Sequence, residues 1–137
     1  MFDLHEIDLG SLMGGNSFTI ACTLHKDGIA LQVNALGDTG ASGFVFLNTS
    51  FASDLCRTFG LTPRKLPQPV YPKGYDGTKG SPITRYLSFN IEIDGRQIYN
   101  LLMLIVKLDS YDMIIRRNFF DYFRISIDVF CRQLLWP

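Results

Sequence analysis

The sequence predicts a single, mainly β domain with one or two short helices. Segments rich in β-branched and aromatic residues recur along the chain, and glycine-containing turns separate them. With 137 residues, of which 47% are hydrophobic and 19% charged, the chain can bury a core and is too apolar for disorder. We expect residues 1–16 to be a lead-in and residues 17–137 to form the single domain.

The first half of the chain contains three predicted strands and a helix. "SFTIACTL" and "IALQVNAL" flank the turn "HKDG" and so predict a β-hairpin, and "FVFLN" is a third strand. A helix is predicted near residues 50–59, because apolar residues recur every four positions at Phe51, Leu55 and Phe59. Asn48, Thr49 or Ser50 can cap its start, and a glycine follows its end.

The second half predicts further strands and one short helix. Four prolines within residues 61–73 favour an extended connector over the interior of a sheet. "ITRYLSFNIEI" and "QIYNLLMLIV" flank the turn "DGR" as a long hairpin. A short helix is expected near residues 116–123, and Ile125 to Trp136 should close the chain as β structure.

Composition excludes several classes of function. Thirteen basic and thirteen acidic residues cancel, so we expect no direct nucleic-acid partner. No apolar run is long enough to cross a bilayer, so we expect no membrane association. Cys22, Cys56 and Cys131 are few and widely spaced, which favours small core residues and a reducing, cytoplasmic location. No metal-ligand spacing or phosphate-binding loop occurs, so no metal or cofactor is predicted.

The stretch "ALGDTGASG" places an acidic residue, Asp38, in a glycine-rich turn between two apolar strands. A sharp turn of this kind exposes backbone N–H groups that can hold a carboxylate. From the residues alone, two interpretations remain open. Asp38 either organises its own turn, as aspartate often does, or provides a carboxylate for chemistry.

A family resemblance favours the second interpretation. "ALGDTGASGFVFLN" resembles the active-site loop of retropepsins, the homodimeric aspartic proteases of retroviruses and LTR retrotransposons. "GYDGTKGSPITRYLSFNIEIDGR" is similar to the flap and following strand of the retrotransposon-type members. "YDMIIRRNFFDYFRISIDVFCRQLLWP" is similar to their closing segment, so that the resemblance covers about residues 18–137.

The resemblance implies a retropepsin-type closed β-barrel subunit that is completed as a two-fold homodimer through Ile125 to Trp136. It also implies an aspartic endopeptidase that cuts an extended peptide, such as a retrotransposon-type polyprotein. Two copies of Asp38 would share one proton, because adjacent like charges do not both ionise easily. The implied catalytic residues are Asp38, Thr39 and Gly40, and the implied substrate-binding residues are Ala41, Ser42, Gly74, Tyr75, Asp76 and Gly77.

The roles within this set also follow from the resemblance. Thr39 would lock the two active-site loops together, and the Gly40 N–H would help to hold the carboxylates coplanar. The four residues from Gly74 to Gly77 would form either the flap that closes over the substrate or an ordinary glycine-rich turn. Phe44 and Ile83 are expected either in the walls of the substrate pockets or in the core.

Two residues depart from the family pattern. Arg116 stands where the family usually has a glycine, and Gly37 stands where an aliphatic residue is common. Arg116 should either lean outward and pair with Asp109 or Asp112, or distort the active-site loop and weaken catalysis. Gly37 should loosen the approach to Asp38.

Two alternative interpretations of the chain remain open. The chain could be an inactive, domesticated module that dimerises and binds extended peptides without cutting them, and Arg116 favours this hypothesis. It could also be an unrelated β-barrel whose Asp-Thr-Gly is accidental, which predicts a folded monomer.

Overall fold

The computed structural model describes residues 17–72 and 80–137. Strands dominate these ranges, as the sequence predicted. The elements are β1 (Thr19–Lys26), β2 (Ile29–Asp38), β3 (Val45–Asn48), α1 (Thr49–Phe59), β4 (Arg64–Val70), β5 (Ile83–Ile93), β6 (Arg96–Val106), β7 (Met113–Arg116), α2 (Arg117–Phe123), β8 (Ser126–Asp128) and β9 (Gln133–Leu135).

Six strands form a closed barrel in the order β1-β2-β7-β3-β6-β5, and β5 pairs back to β1. The β2–β7 and β3–β6 pairings are parallel, and the other pairings in the ring are antiparallel. Because the ring closes, it leaves few unpaired edges. The predicted mainly β, closed-barrel fold with two short helices is therefore confirmed.

The interior of the barrel follows from the two-residue period of its strands. In β1, every second residue points inward, and Ile20, Cys22 and Leu24 are buried. The β5 strand repeats this pattern with Leu87, Phe89, Ile91 and Ile93. These residues join one hydrophobic cluster that fills the barrel.

Two predicted hairpins end in the same kind of turn. Lys26 pairs with Ile29, so that Asp27 and Gly28 are the two turn residues. Asp94 and Gly95 occupy the corresponding turn between β5 and β6. All four turn residues have positive φ angles between 51° and 80°, which matches the tight turns that favour Asp-Gly.

Helix α1 covers the predicted range, and its start differs from the prediction in one respect. Leu55 and Phe59 are buried and Phe51 is half-buried, as the spacing indicated. Asn48 occupies the cap position, but its side chain makes no cap hydrogen bond to the helix. Its Oδ1 instead accepts a hydrogen bond of 2.9 Å from the backbone N–H of Leu108. The loop after β6 therefore bonds to the Asn48 side-chain oxygen, which could otherwise cap the helix.

The proline-rich segment and the closing segment lie at the edges of the molecule. β4, which contains two of the prolines, pairs with β5 outside the barrel ring, where a missing N–H is tolerated. β8 and β9 form a separate two-stranded sheet. The Arg132 guanidinium donates a hydrogen bond to the carbonyl of Ser17, and the Trp136 Nε1–H donates to Asp94 Oδ2 at 3.0 Å. These bonds attach the hairpin to the barrel.

The three cysteines occupy different environments. Cys22 is buried in the core, Cys56 is half-buried on α1, and Cys131 is exposed in the β8–β9 turn. The prediction that all three are small core residues is therefore wrong for Cys131. Burial, and to a smaller extent the charge of Asp94, raises the pKa of the Cys22 thiol to about 12.

Within the described ranges, neither helix is long and apolar enough to cross a membrane.

Candidate active site

The Asp38 carboxylate lies at the point where β2 leaves the barrel. Asp38 is the last residue of β2, is half-buried, and begins the loop that leads to β3. The backbone N–H of Gly40 donates a hydrogen bond of 3.1 Å to Asp38 Oδ1. This bond holds the carboxylate within its own turn, which is the local role that aspartate often has after a strand.

The loop after Asp38 is anchored by the start of α2. β7 lies between β2 and β3, so that its end and the first residues of α2 contact the loop that joins those two strands. Arg117 N–H donates to the carbonyl of Ala41 at 3.1 Å, and Asn118 N–H donates to the carbonyl of Gly43 at 3.0 Å. The first N–H groups of a helix lack partners within the helix, and here the loop supplies the acceptors.

Two side chains complete this anchor. Asn118 Oδ1 accepts a hydrogen bond of 2.7 Å from the Gly43 N–H. Arg117 Nη2 donates to Ser42 Oγ at 2.8 Å. Sequence reasoning did not assign either residue to the site. The available signal was the run of three polar residues that directly follows the aliphatic part of β7.

Arg116 does not form the ion pair expected of it. Its guanidinium carbon lies 4.5 Å from the centre of the Phe46 ring, and its Nη1 is 3.4 Å from the Ser42 carbonyl oxygen. The ion pairs among the described residues do not include it, so the predicted pairing with Asp109 or Asp112 is wrong. The backbone N–H of Arg116 donates to the Phe44 carbonyl at 2.8 Å.

The Gly37 prediction is also wrong. The N–H of Gly37 donates to the carbonyl of Phe18 at 2.9 Å. A Cβ at residue 37 would lie only 2.8 Å from a ring carbon of Phe18. The phenylalanine ring therefore fills the space that a larger side chain would take, and the approach to Asp38 is not loosened there.

A groove of about 1230 Å³ runs along the active-site loop. Asp38, Gly40, Ala41 and Ser42 line it on one side. The opposite walls come from β6, from the ends of β4 and β5, and from α2. The groove is open at the surface, and strands β3 to β6 contribute residues to its lining.

The other predicted site residues divide into three groups. Phe44 and Ile83 both line the groove, with Phe44 partly exposed and Ile83 buried. Thr39 is exposed at the tip of the loop. The four predicted flap residues, Gly74, Tyr75, Asp76 and Gly77, lie outside the described residues.

The described residues do not offer a metal site. In residues 17–72 and 80–137, no three His, Cys, Asp or Glu side chains cluster closely enough to hold an ion.

The closed barrel, the placement of β7 between β2 and β3, and the Asp-Thr-Gly loop beside an open groove define a retropepsin-like fold. A structure of that class is similar to this chain: the retroviral protease-like domain of Ddi1 from Leishmania major, with a TM-score of 0.62 and 17% sequence identity. The alignment covers 89% of this chain and 89% of the Ddi1 domain. No protein-family model matches the sequence, and no curated protein matches it.

Proposed function

We propose that this chain is an aspartic-type endopeptidase that hydrolyses peptide bonds as a homodimer. The observation that carries the proposal is the Asp38 carboxylate, which the Gly40 N–H orients on the wall of the groove. The groove can accommodate an extended peptide whose backbone forms hydrogen bonds and whose alternate side chains enter pockets. The retropepsin-like fold supports this class of reaction.

The second carboxylate of the reaction comes from a second copy of the chain. The sequence contains a single Asp-Thr-Gly, and one carboxylate is half of an aspartic protease site. In the dimer the two copies of Asp38 share one proton. The pair then titrates as a unit, so its apparent pKa values belong to the dyad and not to either residue.

Each half of the dyad has a separate role. The ionised member takes a proton from a bound water, whose oxygen attacks the carbonyl carbon of the scissile peptide bond. The protonated member donates a hydrogen bond to the carbonyl oxygen and stabilises the tetrahedral intermediate. Thr39, exposed at the loop tip, joins the two loops across the dyad axis.

The C-terminal hairpin is the surface that we assign to dimerisation. Val129 and Phe130 at its tip are 79% and 96% exposed, which is unusual for large apolar side chains unless a partner covers them. Ile125 is buried within the subunit, so the contacts come from the hairpin that follows it. The lead-in, residues 1–16, is a second candidate contact.

We infer a retrotransposon-type polyprotein as the substrate and the cytoplasm as the location. A protease of this kind binds its substrate as an extended segment, and the linkers between the folded parts of a polyprotein are such segments. The flap residues Gly74 to Gly77 close over the bound peptide in this proposal and exclude water from the reaction.

A second candidate function is supported by Arg116. The chain could bind extended peptides as an inactive dimerisation module. A cation in the same groove as Asp38 is compatible with peptide binding and is not required for hydrolysis. The two candidates predict different results when peptide cleavage by the wild type is compared with cleavage by Asp38→Asn.

Asp38→Asn tests the catalytic proposal. The purified chain is incubated with a peptide library at pH values from about 4 to 7, and cleavage is followed by mass spectrometry. We expect Asp38→Asn to abolish cleavage, because an amide replaces the carboxylate that accepts the proton from water. Asp109→Asn is the matched control, since Asp109 is exposed and does not line the groove.

The outcomes separate the two candidates. Cleavage by the wild type and by Asp109→Asn, but not by Asp38→Asn, supports the endopeptidase. Peptide binding by the wild type without cleavage at any pH supports the module. Sedimentation in the same buffers must give a dimer for either candidate, and a monomer at all concentrations would overturn both.

A further inference from the structure

The Arg116 guanidinium has few partners for a half-buried charge. An arginine head carries five N–H donors, and the structure gives it one acceptor, the Ser42 carbonyl, at the long distance of 3.4 Å. Its Nε–H is buried and has no acceptor among the described residues. The Phe46 ring stabilises the charge from one face but accepts no conventional hydrogen bond. A half-buried cation in this state favours an anionic partner.

The position of Arg116 in the groove limits what that partner can be. Asp38 and Arg116 are the charged residues among the described residues that line the groove. They stand opposite each other in the parallel pairing of β2 and β7, but they form no ion pair within 4.0 Å. The two charges of the groove therefore lie on neighbouring strands without a direct ion pair.

The remaining described walls are mostly apolar. Phe44 and Tyr122 pack edge to face with their ring centres 5.8 Å apart, and Leu102 and Tyr99 are exposed on the β6 side. Apolar walls accept many side chains with little discrimination. A single fixed cation discriminates strongly, because a carboxylate fits the planar guanidinium with two parallel hydrogen bonds.

We propose that Arg116 binds the carboxylate of an Asp or Glu side chain in the peptide substrate and thereby determines specificity at one position near the scissile bond. This inference rests on the proposed function, in that a peptide occupies the groove. In this proposal Arg116, which stands where the family usually has a glycine, selects the substrate. The preferred substrate then has one acidic residue among apolar ones.

Paired peptides test the proposal. Both peptides of a pair have the same sequence, which is taken from the cleavage profile of the wild type, and both are amidated at the C-terminus. They differ only at one position near the scissile bond, which is Glu in one peptide and Gln in the other. We expect kcat/KM to fall about tenfold from Glu to Gln, equivalent to about 1.4 kcal/mol. A third peptide with Gln and a free C-terminal carboxylate distinguishes side-chain recognition from recognition of a chain end.

Variants of the protein assign the effect to Arg116. Arg116→Gln should remove the preference for Glu, and Arg116→Glu should replace it with a preference for Lys. Arg116→Lys keeps the positive charge but lacks the planar guanidinium that forms two parallel hydrogen bonds, so it should retain part of the preference for Glu. Arg85→Gln is the matched control, because Arg85 is an exposed arginine outside the groove. Circular dichroism establishes that each variant is folded. A preference for Lys in Arg116→Glu also shows that the groove is intact, because an altered groove would not bind the peptide.

A binding measurement separates this proposal from the proposed function. Peptides with Glu or Gln at each position in turn, chosen without reference to cleavage, are titrated against Asp38→Asn, with and without Arg116→Gln, by fluorescence anisotropy. Tighter binding of the Glu peptide that depends on Arg116 supports the inference even if no peptide is cleaved. Cleavage and binding with equal preference for Glu and Gln overturn it while the endopeptidase proposal stands. The absence of both cleavage and binding overturns both.

Discussion

The active-site loop contains a glycine, Gly43, whose replacement should be unusually costly. Its φ angle is +124°, a conformation that L-residues rarely adopt. A Cβ added there would lie 3.1 and 3.2 Å from two ring carbons of Phe46 and 3.3 Å from Cδ of Arg116. Phe46 is buried and Arg116 packs on its ring, so neither side chain can move away freely.

The expected loss of stability in Gly43→Ala has two components. Backbone strain at a positive φ costs about 1–3 kcal/mol. Overpacking against Phe46 and Arg116 costs about a further 1–3 kcal/mol. Gly60→Ala is the matched control, because Gly60 also has a positive φ of 66° but has nothing within 4 Å of an added Cβ. It should lose about 1–2 kcal/mol through backbone strain alone.

Urea unfolding measures both variants against the wild type. Far-UV circular dichroism follows the whole barrel, and the fluorescence of Trp136, the single tryptophan, follows the C-terminal hairpin. All three proteins are compared at one concentration, because dimerisation would add to the apparent stability. We expect Gly43→Ala to unfold with a free energy at least about 1 kcal/mol below that of Gly60→Ala. Equal losses in the two variants would refute the packing argument at Gly43.

Two further predictions concern groups away from the groove. Burial raises the pKa of the Cys22 thiol to about 12, so Cys22 should resist a thiol reagent in the native protein and react only on unfolding. The exposed Cys131 should react at once. Rapid labelling of Cys22 in the native protein would contradict its burial. The Cys131 N–H donates to Asp128 Oδ1 at 3.0 Å, and this backbone bond lowers the pKa of the Asp128 carboxyl from its ordinary value. Because the folded-state pKa is the lower one, the stabilisation is present above the unfolded-state pKa and is lost as pH falls through the folded-state value. The wild type should therefore be more stable than Asp128→Asn at neutral pH, and a difference in unfolding free energy that stays constant down to about pH 2 would contradict this linkage.

Much of the local structure could be predicted from short stretches of sequence. The two Asp-Gly turns, the alternation of β1 and β5, and the apolar face of α1 depend on residues within a few positions of one another. Backbone preferences and side-chain periodicity act at this range. The position of Asp38 in a tight turn after a strand is predictable for the same reason.

The contacts that build the site could not be predicted in this way. Gly43 and Asn118 are 75 residues apart in sequence, and Asn48 and Leu108 are 60 residues apart. The first pair meets because β7 enters between β2 and β3, and the second because the loop after β6 returns to the start of α1. Asn48, one of three residues that could cap the helix, occupies the cap position but bonds to this loop, so that a tertiary contact overrides a local preference.

The sequence by itself determined a mainly β domain and one carboxylate in a glycine-rich turn, since both depend on local backbone geometry. Only the tertiary structure decided that Arg116 lies over Phe46 and shares a groove with Asp38 while forming no ion pair with it. The direction of a long side chain depends on which strands become neighbours. Strand pairing in a closed barrel is a property of the whole chain, because each partner must leave room for all the others.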